Sequence, residues 1–326
     1  MKKRESILTK RILAGLMLGL LLGSSFYARP AAAGEVINVV TQEDYEKVKE
    51  SNGNVKPQQS LTDNIVTIGT DGGGNSPSID SSGNRYVYGG YTAGTEAAKN
   101  NKVFIKSGVM NDVYGGYSLS GVATDNKVYI SGTPIFGNNT MLYGGHSDRG
   151  GDVSGNVLNI HTKGLQAANV RDFDEYNFYL QNDTKADDTL LTLTGGDDSD
   201  KITYITKSKI NVGMEGSAPA LRIGDSVTLL ENTNGITADN TTDYGPEMRQ
   251  GVSVVYDITT GLNEDGHKLV TTIDGGKVLE QTKSPVETQA ATAAFLNSGA
   301  DMLAGSGIAS MSEATSAEDG AIFGVM

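Results

Sequence analysis

The 326-residue chain has no cysteine, no tryptophan and only 7 prolines. Without cysteine there is no disulfide framework, so stability has to come from packing and backbone hydrogen bonds. Basic residues are also scarce, 26 Lys and Arg against 39 Asp and Glu, for a net charge of −13. A surface of that sign repels nucleic acid, which removes nucleic acid as an expected partner. Beyond residue 33 no stretch is long and apolar enough to serve as a membrane-spanning helix.

Glycine is abundant, at 42 residues, and accompanies many Asn, Asp, Ser and Thr residues with scattered β-branched pairs. That texture predicts many short strands joined by many turns. The first 33 residues differ. Lys2, Lys3, Arg4, Lys10 and Arg11 form a basic start, Ile12 to Phe26 is apolar, and Ala31-Ala32-Ala33 supplies small residues. This three-part pattern predicts a secretory signal peptide over residues 1–33, cleaved before Gly34. The apolar run is short for a bilayer span of about 20 residues. Residues 1–33 hold six Lys/Arg and one acid, a net of +5, so the remainder carries −13 − 5 = −18. The roughly 290 residues that follow suffice for one or two domains.

Clear repeats fill residues 86–164. Val87-Tyr88-Gly89-Gly90-Tyr91 recurs as Val113-Tyr114-Gly115-Gly116-Tyr117 and as Leu142-Tyr143-Gly144-Gly145-His146, at spacings of 26 and 29. Between these copies Asn101-Lys102-Val103-Phe104-Ile105 recurs as Asn126-Lys127-Val128-Tyr129-Ile130, and more loosely as Asn156-Val157-Leu158-Asn159-Ile160. Periods of this length signal stacked units that cannot bury an apolar face alone. The second element alternates, with Val103 and Ile105 facing one way and Lys102, Phe104 and Lys106 the other, as in a half-buried strand. Stacking in register predicts a Tyr88–Tyr114–Tyr143 ladder and an interior row of Val103, Val128 and Leu158. Each Gly-Gly pair permits a sharp turn or a close approach that a Cβ would forbid. The expected fold is all-β: a right-handed β-solenoid over residues 34–283.

Outside the repeats the pattern predicts strands at 35–40, 65–68, 189–194, 202–205, 210–212 and 226–230. A helix is expected at Gln42 to Lys49, with Thr41 and Asp44 in a capping box. A hairpin of 251–259 and 268–273, within a C-terminal cap at about 250–280, would close the far end. Ser284, Pro285 and Glu287 then start a helix over 284–305. Twenty helical residues span about 30 Å. Gln289, Asn297 and Asp301 make it unfit for lipid, while its small residues suit a helix threaded through a polar pore.

The segments Asp172 to Leu180, Leu191 to Gly195, Gly224 to Leu230, Gln250 to Ser253, Glu287 to Ala291 and Leu296 to Asp301, with the Tyr-Gly-Gly repeats, resemble the passenger-to-barrel junction of bacterial autotransporters (type V secretion). The resemblance covers about residues 86 to 326. It implies an exported, surface-displayed or secreted passenger, adhesin-like or structural, with residues 284–305 as a linker helix. Its implied partners are the outer-membrane translocation and barrel-assembly machinery and a host or cell-surface ligand. Residues 306–326, ending Ala321-Ile322-Phe323-Gly324-Val325-Met326, fall where the first strand of the family's translocator barrel begins; the alternating strands of such a barrel are not in this sequence.

No catalytic, cofactor-binding or metal-ligating residue is assigned, and the chain is not expected to be an enzyme. His146 takes the ladder position of Tyr91 and Tyr117, which predicts stacking; His161 follows a strand and His267 sits at a hairpin. Gly224-Asp225-Ser226 runs straight into apolar residues, as a turn entering a strand does. Gly195-Gly196-Asp197-Asp198-Ser199-Asp200 resembles one copy of a calcium-binding nonapeptide, with Asp198 where that repeat wants glycine. The alternative function is a secreted polysaccharide-acting β-helix enzyme, for which a cleft of converging charged side chains on one face would be the sign.

Overall fold

A computed structural model describes residues 34–72, 76–79, 85–197, 199–216, 219–250 and 254–278. The expected signal peptide, the helix over 284–305 and residues 306–326 lie outside these. The described chain is predominantly β, with strands that pair mostly in parallel.

The first sheet is built by the alternating element. Strands Val36–Val39, Ile65–Ile68, Lys102–Met110, Lys127–Phe136, Val157–Ile160, Glu175–Leu180 and Lys209–Met214 pair in that order, each parallel to the next. Register is fixed by the apolar face, since a one-residue slip would turn it to solvent. Val66, Val103, Val128, Leu158, Tyr176 and Ile210 therefore form one interior row, and Ile68, Ile105, Ile130, Ile160, Phe178 and Val212 another. All are buried. The expected row of Val103, Val128 and Leu158 is present.

The Tyr-Gly-Gly element forms a second parallel sheet. Val87–Tyr88 and Tyr91–Thr92 pair with Val113–Ser118, which pairs with Met141–Ser147 and then Asn169–Arg171. Val87, Val113, Leu142 and Val170 point into the same core. A third run, Leu165–Ala167, Thr189–Leu193 and Ser226–Asn232, is also parallel. The long strands at 102–110 and 127–136 change direction at a bulge between Ile105 and Ser107. Gly108 (φ 106°) and Gly132 (φ 64°) occupy that corner, in backbone that only glycine adopts freely.

Asparagine ties these sheets together. Asn64, Asn101, Asn126 and Asn156 are fully buried, one at the head of each rung. Asn64 Nδ2 donates to Asn101 Oδ1 at 2.8 Å, Asn101 Nδ2 to Asn126 Oδ1 at 2.9 Å, and Asn126 Nδ2 to Asn156 Oδ1 at 3.1 Å. The backbone N–H groups of Asn64, Asn101 and Asn126 donate to the same oxygens. Each Nδ2 also reaches a loop carbonyl: Ser60, Leu61, Ala98 and Ala123 in turn. Every polar atom of a buried amide row is thus engaged, as burial requires. The residues just before these asparagines, Asp63, Asn100, Asp125 and Gly155, all have φ between 57° and 74°. Asp, Asn and Gly tolerate that left-handed corner best.

The Gly-Gly pairs are explained by the same row. None of Gly89, Gly90, Gly115, Gly116, Gly144 and Gly145 has a positive φ, so they do not make a sharp turn. A Cβ on Gly90, Gly116 or Gly145 would instead sit 2.5, 2.6 or 2.6 Å from the Nδ2 of Asn101, Asn126 or Asn156. Close approach is their role.

Both ends of the stack are covered. At the first rung lies the helix Gln42–Val48, where Thr41 Oγ1 accepts from the Asp44 N–H and Asp44 Oδ2 accepts from the Thr41 N–H. Its Tyr45 is buried and donates to the Gly53 carbonyl at 2.8 Å. At the far end Val254–Leu262 and Lys268–Val278 form an antiparallel hairpin. One arm pairs with Glu247–Gln250, the continuation of the first sheet, and the other with Ser226–Asn232 of the third run. Residues 251–253, where the hairpin was expected to begin, lie outside the described chain.

Candidate binding surface

The outward side chains of the first sheet form three rows at the rung spacing of about 4.8 Å. The first runs Ile65, Lys102, Lys127, Val157, Glu175 and Lys209. In the second, Phe104 and Tyr129 stack with centroids 4.6 Å apart, and Asn159, Asn177 and Asn211 continue as an amide ladder, Asn177 Nδ2 donating to Asn159 Oδ1 at 3.0 Å and Asn211 Nδ2 to Asn177 Oδ1 at 2.8 Å. The third carries Lys106, Ser131, His161 and Tyr179. Asp71 bridges Lys106 Nζ (2.6 Å) and Ser131 Oγ (2.8 Å), so its carboxyl is held below the usual range, chiefly by the Lys106 hydrogen bond. His161 stacks on Tyr179 at 4.2 Å and its Nδ1 lies 2.9 Å from Glu215 Oε2. Gln181, the leading cause, and His161 lower the Glu215 carboxyl.

The first row borders an open groove of about 330 Å³, lined by Asp63, Ile65, Asn100, Lys102, Asp125 and Lys127. The three left-handed corner residues make one wall and the two lysines stand in the other. All five polar side chains are exposed. In contrast to the paired Asp71, Lys106, His161 and Glu215, neither lysine has an acidic partner within 4 Å among the described residues.

The second sheet bears the tyrosine ladders. Tyr88 and Tyr114 stack at 4.9 Å and Tyr114 and Tyr143 at 4.6 Å, as the repeat predicts. Beside them Tyr91, Tyr117 and His146 make a second column, at 5.0 and 5.8 Å. Lys56 Nζ sits 4.0 Å over the Tyr91 ring. Within the columns ring faces are spent on one another, and Tyr88 and Tyr114 are buried, so these columns do not offer flat platforms. Burial pushes the Tyr88 and Tyr114 hydroxyls far up. Asp112 beside them is raised to about 6 by burial, although its Oδ1 accepts from the Met141 N–H at 2.8 Å. His146 is held above its ordinary value, first by Asp172, 3.6 Å from Nδ1, and then by Asp148, 3.1 Å from Nε2.

The remaining sequence candidates scatter. His267 lies at the hairpin loop, its N–H donating to Asn263 and Asp265. Ser226 Oγ pairs with Thr272 Oγ1 at 2.9 Å inside the sheet, and Gly224 takes φ 93°, a turn entering a strand. Gly195 and Gly196 have positive φ, and Asp197 accepts from Asn139; Asp198 lies outside the described residues. Among the described residues no cluster of three or more His, Asp or Glu could hold a metal ion, and no helix is long and apolar enough to cross a membrane. The buried asparagine row and the groove were not singled out from sequence, although the repeated Asn at the head of each rung was in plain view.

Comparison with protein-family models, with curated proteins and with solved structures finds no match to this chain.

Proposed function

We propose that the chain is an exported passenger of the autotransporter type, a right-handed β-solenoid that displays its flat outer faces at a cell surface and serves an adhesive or structural role. The observation that carries this reading is the seven-strand parallel run from Val36 to Met214, locked by the buried asparagines. Such a stack folds rung by rung with mostly neighbouring contacts. It needs no disulfide, which suits a chain that crosses membranes before folding. In this reading residues 1–33 direct export, 34–283 are displayed, and 284–305 thread a barrel.

Expression of the chain in a bacterium with two membranes, followed by fractionation and N-terminal sequencing, tests it. The reading predicts processing before Gly34 and, after fusion to an autotransporter barrel, digestion by protease added to whole cells. Retention in the cytoplasm with residues 1–33 intact contradicts it.

A further inference from the structure

The groove on the first sheet has two unlike walls. Asp63, Asn100 and Asp125 follow one another on one side; on the other, Lys102 and Lys127 are direct register partners, one rung apart. The register comes from the backbone ladder, so the Cα atoms of the two lysines stand one strand spacing apart, about 4.8 Å, and both side chains rise from the same face of the sheet. Half-buried Ile65 contributes the apolar element of the lining.

We infer that this groove binds a polyuronate, a polysaccharide of uronic acid residues; the inference rests on the adhesive reading above and names its ligand class. A uronic acid ring carries a carboxylate at one edge and vicinal hydroxyls at the opposite edge. The carboxylates of successive residues accept charge-assisted hydrogen bonds from Lys102 and Lys127. The hydroxyls donate to the carboxylates of Asp63 and Asp125 and to the amide oxygen of Asn100. Ile65 meets the C–H face of a ring. A neutral glycan leaves the lysines unmatched, and a polyanion without ring hydroxyls leaves the aspartates facing like charge.

Calorimetric titration of the purified chain with oligogalacturonate tests the assignment, with maltooligosaccharide and polyglutamate alongside. Binding by oligogalacturonate, and neither of the others, is expected. Lys102→Gln and Lys127→Gln should each weaken it about tenfold, as the loss of one charge-assisted hydrogen bond does. These positions are exposed, and an unchanged unfolding midpoint verifies that each variant is folded. Equal binding of polyglutamate, equal binding of maltooligosaccharide, no binding at all, or undiminished binding by both Lys→Gln variants overturns the inference. Each readout is made on purified protein, so it is independent of export, and failed binding by a chain that is exported and displayed counts against the groove alone.

Discussion

Asn126 packs directly on Gly116: a Cβ on that glycine would lie 2.6 Å from Asn126 Nδ2 and 2.9 Å from the Ala98 carbonyl oxygen that the same amide holds at 3.1 Å. The two repeated motifs of the sequence are therefore one device. The asparagine of the alternating element needs a neighbouring backbone without side chains, and the Tyr-Gly-Gly element supplies it.

Gly116→Ala should accordingly destabilise the chain by about 1–3 kcal/mol, because the overpacked neighbour is a buried amide with no room to move. Gly261 has nothing within 4 Å of its would-be Cβ and no positive φ. Gly261→Ala should be neutral, or stabilising by about 0.5 kcal/mol. Urea unfolding of the two variants measures the difference; equal midpoints would show that Gly116 is not packed as described.

Asn126→Leu keeps the branched shape, with bulkier methyls, but removes the oxygen that accepts from Asn101 N and Nδ2, at 3.1 and 2.9 Å. The stranded backbone donor and the weakened amide should cost about 2–4 kcal/mol. Asn177→Leu alters the half-buried outer ladder instead, where water can replace the lost bonds, and should cost less. Hydrogen exchange at the Asn101 amide should speed up only in the Asn126 variant.

Two groups at the second sheet, His146 and Asp112, each contribute more stability at lower pH, in different windows. The folded-state pKa of His146 is raised, so its contribution is present below about 6.5 and is lost as pH rises through the higher folded value. Asp112 is raised from 3.8 to about 6, so folding favours its protonated form, and that stability is lost between pH 4 and 6. Asp112→Asn keeps an acceptor for Met141 and should stabilise the chain at pH 7.5 by about 2 kcal/mol. Asp172→Asn should lower the His146 pKa, read by NMR titration. An unfolding midpoint that rises from pH 6 to pH 8.5 would contradict the His146 assignment, and an Asp112→Asn variant no more stable than the parent at pH 7.5 would contradict that of Asp112.

Much of the first sheet was legible because alternation of two fixes which side chains face inward. Val103, Val128 and Leu158 align, Tyr88, Tyr114 and Tyr143 stack, and His146 joins the neighbouring column, all as the repeat implied. The capping box of Thr41 and Asp44 was equally local. Strands at 165–167 and 169–171 were not legible, since three residues carry no periodicity and only their partners on adjacent rungs make them strands. Asn101 and Asn126 were visible as repeated residues, but their burial follows from a partner 25 residues away and from glycines of the other motif. The groove is harder still. Asp63, Asn100 and Asp125 stand 37 and 25 residues apart and meet only through the register of the rungs between them.

The measurement that bears most directly on the stack is a spin-label distance. The chain has no cysteine, so Val36→Cys and Lys209→Cys introduce the only two labelling sites, both exposed. Six parallel pairings separate them. At about 4.8 Å each, these place the labels roughly 30 Å apart. A narrow distribution near that value is the predicted result, although 172 residues of sequence lie between the labels. A broad distribution, or one centred well beyond 45 Å, would contradict the in-register stack on which the rest of the account stands.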